Sequence, residues 1–450
     1  MFDLVIKNGE VIDPVEGNKN VNLAINNGKI VKITDSELRG KKEINAEGKK
    51  VTPGFIDIHM HEDKIDDNDI KFEIFNSMAL MGVTTAIGGN CGLGDAEIDR
   101  YLNLLEEKNG PVNYAGMIGH GSLREKVGCT DRYKAASEDE INEMKRVLKS
   151  GLENGSIGLS FGLEYTPGAT IVEMIELCNV VSEFDNRLVS AHYRFDADRS
   201  LEALGELIII ARETGVKFQI SHLGSCTAFG QTKAGLEMIK AARDGGVDIM
   251  ADIYPYDAFS TYVGSAVFDE GCFEKWDVDY NAIKVTEGKY KGKRCDKEIF
   301  EYIRENEPDD LVVAFVMDEK EIVKAMKNPL VMFASDGLLN NGQGHPRAAG
   351  AFPRVLAKYV REKEELDIIE AINKMTYLPA QRAGLDKKGR IKEGFDADIT
   401  IFDFDKIEDK ATFNQPTKPP IGIDEVIING KEVVSKGKLT GKHPGQVIRY

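Results

Sequence analysis

His59 and His61 close the apolar run Phe55-Ile56-Asp57-Ile58-His59-Met60-His61, one residue apart. Residues i and i+2 of a strand point the same way, so two imidazoles at a strand end converge on one point. Neutral imidazole is the commonest protein ligand for a divalent metal, which makes that point a candidate metal site. The pair also occurs on half-exposed strands that bind nothing, so matching ligands are needed elsewhere. The ends of other short apolar runs supply them: Cys91, His192, His222 and Asp336, with His120 at a further end. Five of the seven histidines fall at such ends. Taken singly, each has a bland reading as a hydrogen-bonded histidine, a small buried thiol or a capping aspartate. Their joint placement favours a metal centre. His120, between two glycines, is not taken as a ligand.

Thiolate from Cys91 with neutral His192 and His222 leaves a fourth position open, the pattern of a catalytic zinc site. Such a metal makes hydroxide available near neutral pH and polarises an amide carbonyl. Expelling an amine also needs an acid. Asp336 is the candidate shuttle, taking the proton from the attacking water and giving it to the leaving nitrogen.

These residues need a frame that brings strand ends together. Between residues 54 and 388 the chain alternates short apolar strands with amphipathic segments, the pattern of parallel βα units. Eight strands are expected, over 54–61, 83–91, 112–120, 156–163, 187–192, 216–222, 247–254 and 331–336. Eight is the count of an α/β TIM barrel, whose active site lies at the C-terminal strand ends. The interval from Pro255 to Pro329 is too long for one crossover and is expected to carry an insertion, about 257–329. Residues 1–53 and 389–450 read as β segments that together make one small β-sandwich. Asn8-Gly9, Asn27-Gly28 and Asn429-Gly430 are hairpin signals.

A net charge of −17 argues against nucleic acid and anionic membrane surfaces as partners. No apolar run approaches the roughly 18 residues of a membrane span. No signal peptide is visible at the N-terminus, and the six cysteines lack paired spacings, so a reducing cytoplasm is expected. The expected partner is a small-molecule carboxylate, with a homo-oligomer left open.

The ligand pattern resembles the amidohydrolase superfamily, whose members commonly pair a metal-bearing barrel with a terminal β-sandwich. Many bridge two metals with a carboxylated lysine after the fourth strand. Here that strand reads Gly158-Leu159-Ser160-Phe161-Gly162-Leu163-Glu164, without lysine. Cys91 in Gly89-Asn90-Cys91-Gly92 is similar to the N-acyl-D-amino-acid deacylase (D-aminoacylase) branch. So are Asp252-Ile253-Tyr254-Pro255-Tyr256, His345-Pro346-Arg347 and Phe352-Pro353-Arg354. The resemblance implies one tight Zn2+ on Cys91, His192 and His222. It also implies a second, weaker divalent metal on His59, His61 and Asp336, with Cys91 bridging.

For the substrate carboxylate the resemblance points to Arg347, with Tyr254 and Ser260 as donors. Guanidinium grips a carboxylate bidentately, and a net-negative protein needs such a local anchor. The branch usually carries a lysine two positions after the sixth-strand histidine, where this chain has Gly224. That change is expected to leave room for a different or larger substrate group, with Arg194 either the compensating charge or held in a structural salt bridge. The implied activity is release of D-amino acid and carboxylate from N-acyl-D-amino acids. A cyclic-amide hydrolase of the dihydroorotase or hydantoinase type, or a non-catalytic scaffold, is the alternative.

Overall fold

The computed structural model describes all 450 residues. Eight parallel strands run in sequence order around a barrel: Phe55–Asp57, Val83–Gly88, Asn113–Gly119, Gly158–Gly162, Leu188–His192, Lys217–Ile220, Ile249–Ile253 and Val331–Phe333. Nearly every residue of these strands is buried, which is why they read as continuous apolar runs rather than alternating ones. The first and last strands meet just beyond their ends. His61 N donates to Gly337 O at 2.9 Å, and Asp336 N donates to His59 O at 2.8 Å. Ser335 N adds a bond of 3.0 Å to Asp57 Oδ1.

Helices cover the outside, and their starts follow local rules. Ser137 and Thr170 form capping boxes with Glu140 and Glu173 before Glu138–Glu153 and Ile171–Ser182. Ser200–Thr214 stops at Gly215, whose left-handed backbone ends the helix.

The chain ends build two sheets. Four N-terminal strands form one, in the order Lys29–Thr34, Asn22–Asn26, Phe2–Lys7, Gly40–Asn45. The other has seven strands and joins the two ends of the chain, with Lys50–Pro53 antiparallel to Ile399–Phe402. Leu4, Ile6, Leu23, Val51, Ile399 and Ile427 lie in one buried cluster, so the core is shared by both ends. Asn27-Gly28 and Asn429-Gly430 each turn a two-residue hairpin with positive φ at both positions. Asn8-Gly9 does not. It carries the chain from Phe2–Lys7 in one sheet to Glu10–Asp13 in the other. Gly9 is required by crowding, since a Cβ there would lie 2.5 Å from Val51 Cγ2.

The long interval after the seventh strand holds an antiparallel sheet of Phe259–Tyr262, Leu311–Ala314 and Ile283–Val285, with helices Cys272–Trp276 and Lys297–Asn306. It is shorter than the 257–329 expected from sequence. Its last helix, Glu319–Met326, packs against Thr232–Asp244 and the eighth strand and belongs to the ring around the barrel. No helix is long and apolar enough to cross a membrane.

Candidate metal centre and active site

The turns that follow the strands, rather than the strands themselves, aim the ligands. Cys91, His222 and Asp336 each adopt a left-handed backbone, with φ of 54°, 32° and 50°. That region is costly for residues with a Cβ, and such outliers concentrate where a side chain must point a particular way. Around Cys91 the crowding is severe. A Cβ on Gly89 would lie 2.2 Å from Met117 O, and one on Gly92 2.8 Å from Gly162 N.

Two ligand groups result, with atoms in each lying within 4.8 Å of one another: His59, His61, Cys91 and Asp336, and Cys91, His192 and His222. Cys91 belongs to both. Its Sγ lies 3.3 Å from His59 Nε2 and 3.3 Å from His222 Nε2. Asp336 Oδ1 is 3.1 Å from His61 Nε2 and 3.5 Å from His59 Nε2. Burial alone would raise the Cys91 thiol, but the imidazoles of His59 and His222 hold it well below its usual range. Burial likewise opposes the charged form of Asp336, yet the Arg347 guanidinium, then His59, keeps its carboxyl far down.

Neighbours that sequence reasoning missed fix which nitrogen each imidazole presents. Asp252 Oδ1 takes His59 Nδ1 at 3.1 Å, and Ser225 Oγ takes His222 Nδ1 at 2.6 Å. Glu164 Oε2 takes His192 Nε2 at 3.0 Å. Such partners orient metal-binding imidazoles and select their tautomers. The buried Nδ1 atoms of His192 and His61 have no hydrogen-bond partner. A shared thiolate among imidazole nitrogens left free to ligate suits zinc's preference for sulfur and nitrogen donors, so the residues fit the metal. His120 lies apart, bonded to Glu173 at 2.8 Å beside Arg124.

His61, Cys91, His192, His222 and Asp336 face one cavity. Across it Arg347 Nη1 lies 2.8 Å from Asp336 Oδ2, and Arg347 Nη2 donates to Ser260 O at 3.2 Å. Its guanidinium sits 4.5 Å from the Tyr254 ring centroid. Arg347 Nε, Tyr254 Oη and Ser260 Oγ are all buried without hydrogen-bond partners. All three residues line the cavity, where an anion would satisfy such donors. Phe259, Ser260, Thr261 and Val267 of the insertion form one wall.

Of the two roles open to Arg194 the structural salt bridge is the one found, and the space expected at Gly224 is absent. Arg194 does not reach the cavity: its guanidinium is bound to Glu206 Oε1 and Oε2 at 2.8 and 2.9 Å and to Pro167 O at 3.0 Å. Its charge is already matched inside the helix layer. Gly224 opens no space for substrate, because a Cβ there would lie 2.4 Å from Ile322 Cδ1. The residue faces the surrounding helices, and Ile322 and Ile253 fill the place of a side chain.

Comparison with known proteins agrees with this geometry. The sequence profile of an amidohydrolase family matches residues 42–255 and 320–434. N-acyl-D-glutamate deacylase of Alcaligenes xylosoxydans xylosoxydans is 32% identical over 100% of this chain and 96% of its own length. D-aminoacylase of the same organism is 31% identical, covering 99% and 97%. Among solved structures, N-acyl-D-glutamate deacylase from Bordetella bronchiseptica superposes with a TM-score of 0.88 at 30% identity over the whole of both chains. That crystal contains zinc and a phosphonate inhibitor that mimics the tetrahedral intermediate.

Proposed function

The chain belongs to the amidohydrolase family, and from that premise we propose that it is a zinc-dependent hydrolase that deacylates N-acyl-D-amino acids. One observation carries the reading. A thiolate shared by two ligand groups stands across one cavity from an arginine, a tyrosine and a serine that offer unsatisfied donors.

Cys91, His192 and His222 would hold the tighter zinc, and His59, His61 and Asp336 a weaker one with Cys91 in common. Zinc there supplies Lewis acidity toward the amide carbonyl and toward water. Arg347 grips the substrate α-carboxylate, helped by Tyr254 and Ser260, and so sets the scissile amide at the ligand cluster. Asp336, kept ionised beside Arg347, accepts a proton from the attacking water at a carboxylate oxygen. It then returns that proton to the amide nitrogen as the C–N bond breaks. One water is consumed, and a carboxylate and an amine leave.

The cyclic-amide alternative expects a carboxylated lysine after the fourth strand, where Glu164 instead binds His192. The scaffold alternative expects lost ligands, and this chain retains them. Six unpaired cysteines suit a reducing compartment, in keeping with a cytoplasmic enzyme. Zinc-loaded protein should release free amine from N-acyl-D-amino acids and not from their L-enantiomers. Silence across a D-substrate panel would sink this function, and ring opening of a hydantoin or dihydroorotate would replace it.

A further inference from the structure

Relatives of similar identity include an N-acyl-D-glutamate deacylase and a D-aminoacylase, so overall likeness does not choose a side chain. The charges lining the cavity do. Arg347 is the one lysine or arginine on its surface, and Asp336 already faces it at 2.8 Å. Two further carboxylates, Glu164 and Asp196, also line the cavity. They stand at and just beyond the ends of the fourth and fifth strands. Both are buried, at 8% and 2% exposure.

A single ammonium serves that pair from the insertion. Lys275 Nζ lies 3.2 Å from Glu164 Oε1 and 2.5 Å from Asp196 Oδ1, and is not itself on the cavity surface. Trp276 Nε1 holds the other oxygen of Asp196 at 2.6 Å. Two carboxylates thus share one ammonium on this wall, and the bonds from Lys275, Trp276 and His192 fix both in place. With the α-carboxylate on Arg347, a second carboxylate on the substrate placed at this wall would meet two like charges, and the ammonium they share is already engaged by both. Like-charge contact in a desolvated site is strongly unfavourable.

Resting on the deacylase reading above, we propose that the Glu164–Asp196 wall selects substrates whose side chain carries no negative charge. It favours neutral side chains that donate a hydrogen bond and excludes N-acyl derivatives of D-glutamate and D-aspartate. Carboxylate oxygens accept more than one donor, so a side-chain amide can add to the bonds these residues already make.

N-acetyl-D-glutamine and N-acetyl-D-glutamate have nearly the same shape and differ in charge, so their kcat/KM ratio on zinc-loaded enzyme reads the wall. Where turnover is slow, their inhibition constants against a good D-substrate give the same ratio. A preference for the glutamine derivative of about tenfold or more is expected, and a smaller ratio overturns the proposal. Asp196→Asn should lower the ratio, because one fixed charge is removed; an unchanged ratio also overturns it. If that variant does not fold, the wild-type ratio decides alone. Inactivity on every N-acyl-D-amino acid is a different result, and it sinks the deacylase activity instead.

Discussion

Asp336 touches both ends of the reaction at once: Oδ2 is 2.8 Å from Arg347 Nη1, and Oδ1 is 3.1 Å from His61 Nε2. The group assigned to proton transfer is thus tied to the substrate anchor on one side and to a metal ligand on the other. Asp336→Asn preserves shape and removes the base. It should keep the zinc of the Cys91 group and lower kcat by about 100-fold or more. Metal analysis with steady-state kinetics checks both halves, and near-normal turnover would remove Asp336 from the role.

Arg347→Met removes the charge opposite the substrate carboxylate. Losing one partner of a buried ion pair costs about 2–5 kcal/mol, so kcat/KM should fall by tens to thousands, mainly through KM. Arg347→Lys should restore only part, since ammonium lacks the bidentate fork. A KM unchanged in the methionine variant rejects the anchor.

Because Cys91 serves both ligand groups, the two halves of the centre should respond differently to mutation. His59→Ala with His61→Ala should retain one equivalent of zinc while losing most activity. Cys91→Ala should lose both metals. If the double histidine variant loses both as well, the division into tight and weak sites is wrong.

Glu164 binds the nitrogen of His192 that faces away from the cluster. Glu164→Gln keeps a hydrogen-bonding group but removes the charge that orients the ring. Loss of such a partner typically costs 10- to 100-fold in metal affinity, roughly the fall expected for the tighter zinc by chelator competition. Wild-type affinity would leave Glu164 to the cavity wall alone.

Gly224→Lys tests whether a lysine there serves substrate in this chain. The new side chain would press on Ile322, and overpacking of this kind costs about 1–3 kcal/mol. A lower melting temperature with no fall in KM is expected. A tighter KM would show that the lysine finds the cavity after all. Arg194→Met should leave KM unchanged.

Much of the centre was legible because strand ends in a barrel share one face. The eight runs follow from the alternation of short apolar strands with amphipathic segments, and the histidines, cysteine and aspartate just after them stand out by their joint placement. The supporting groups were not. Asp252 lies within the seventh strand and reads as part of it, while Ser225 reaches His222 only because a short helix turns at once after that histidine. Lys275 comes from 111 residues beyond Glu164, in an insertion whose path has no period to betray it. The left-handed backbones of Cys91, His222 and Asp336 were equally silent, since glycine or asparagine normally marks such turns. Asn8-Gly9 failed for a related reason: its spacing suits a hairpin, but packing against Val51 sends the chain to the other sheet.

The seam of the barrel has a consequence for how the molecule comes into being. The ring is closed by backbone bonds at His59, His61, Asp336 and Gly337, between residues some 275 positions apart in the chain. Joining such distant segments is the entropically costliest and slowest kind of contact to form. Here that joining also carries Asp336 to the two histidines. The stitch that completes the scaffold is therefore the same event that arms it, and a chain whose ring is still open lacks its proton carrier.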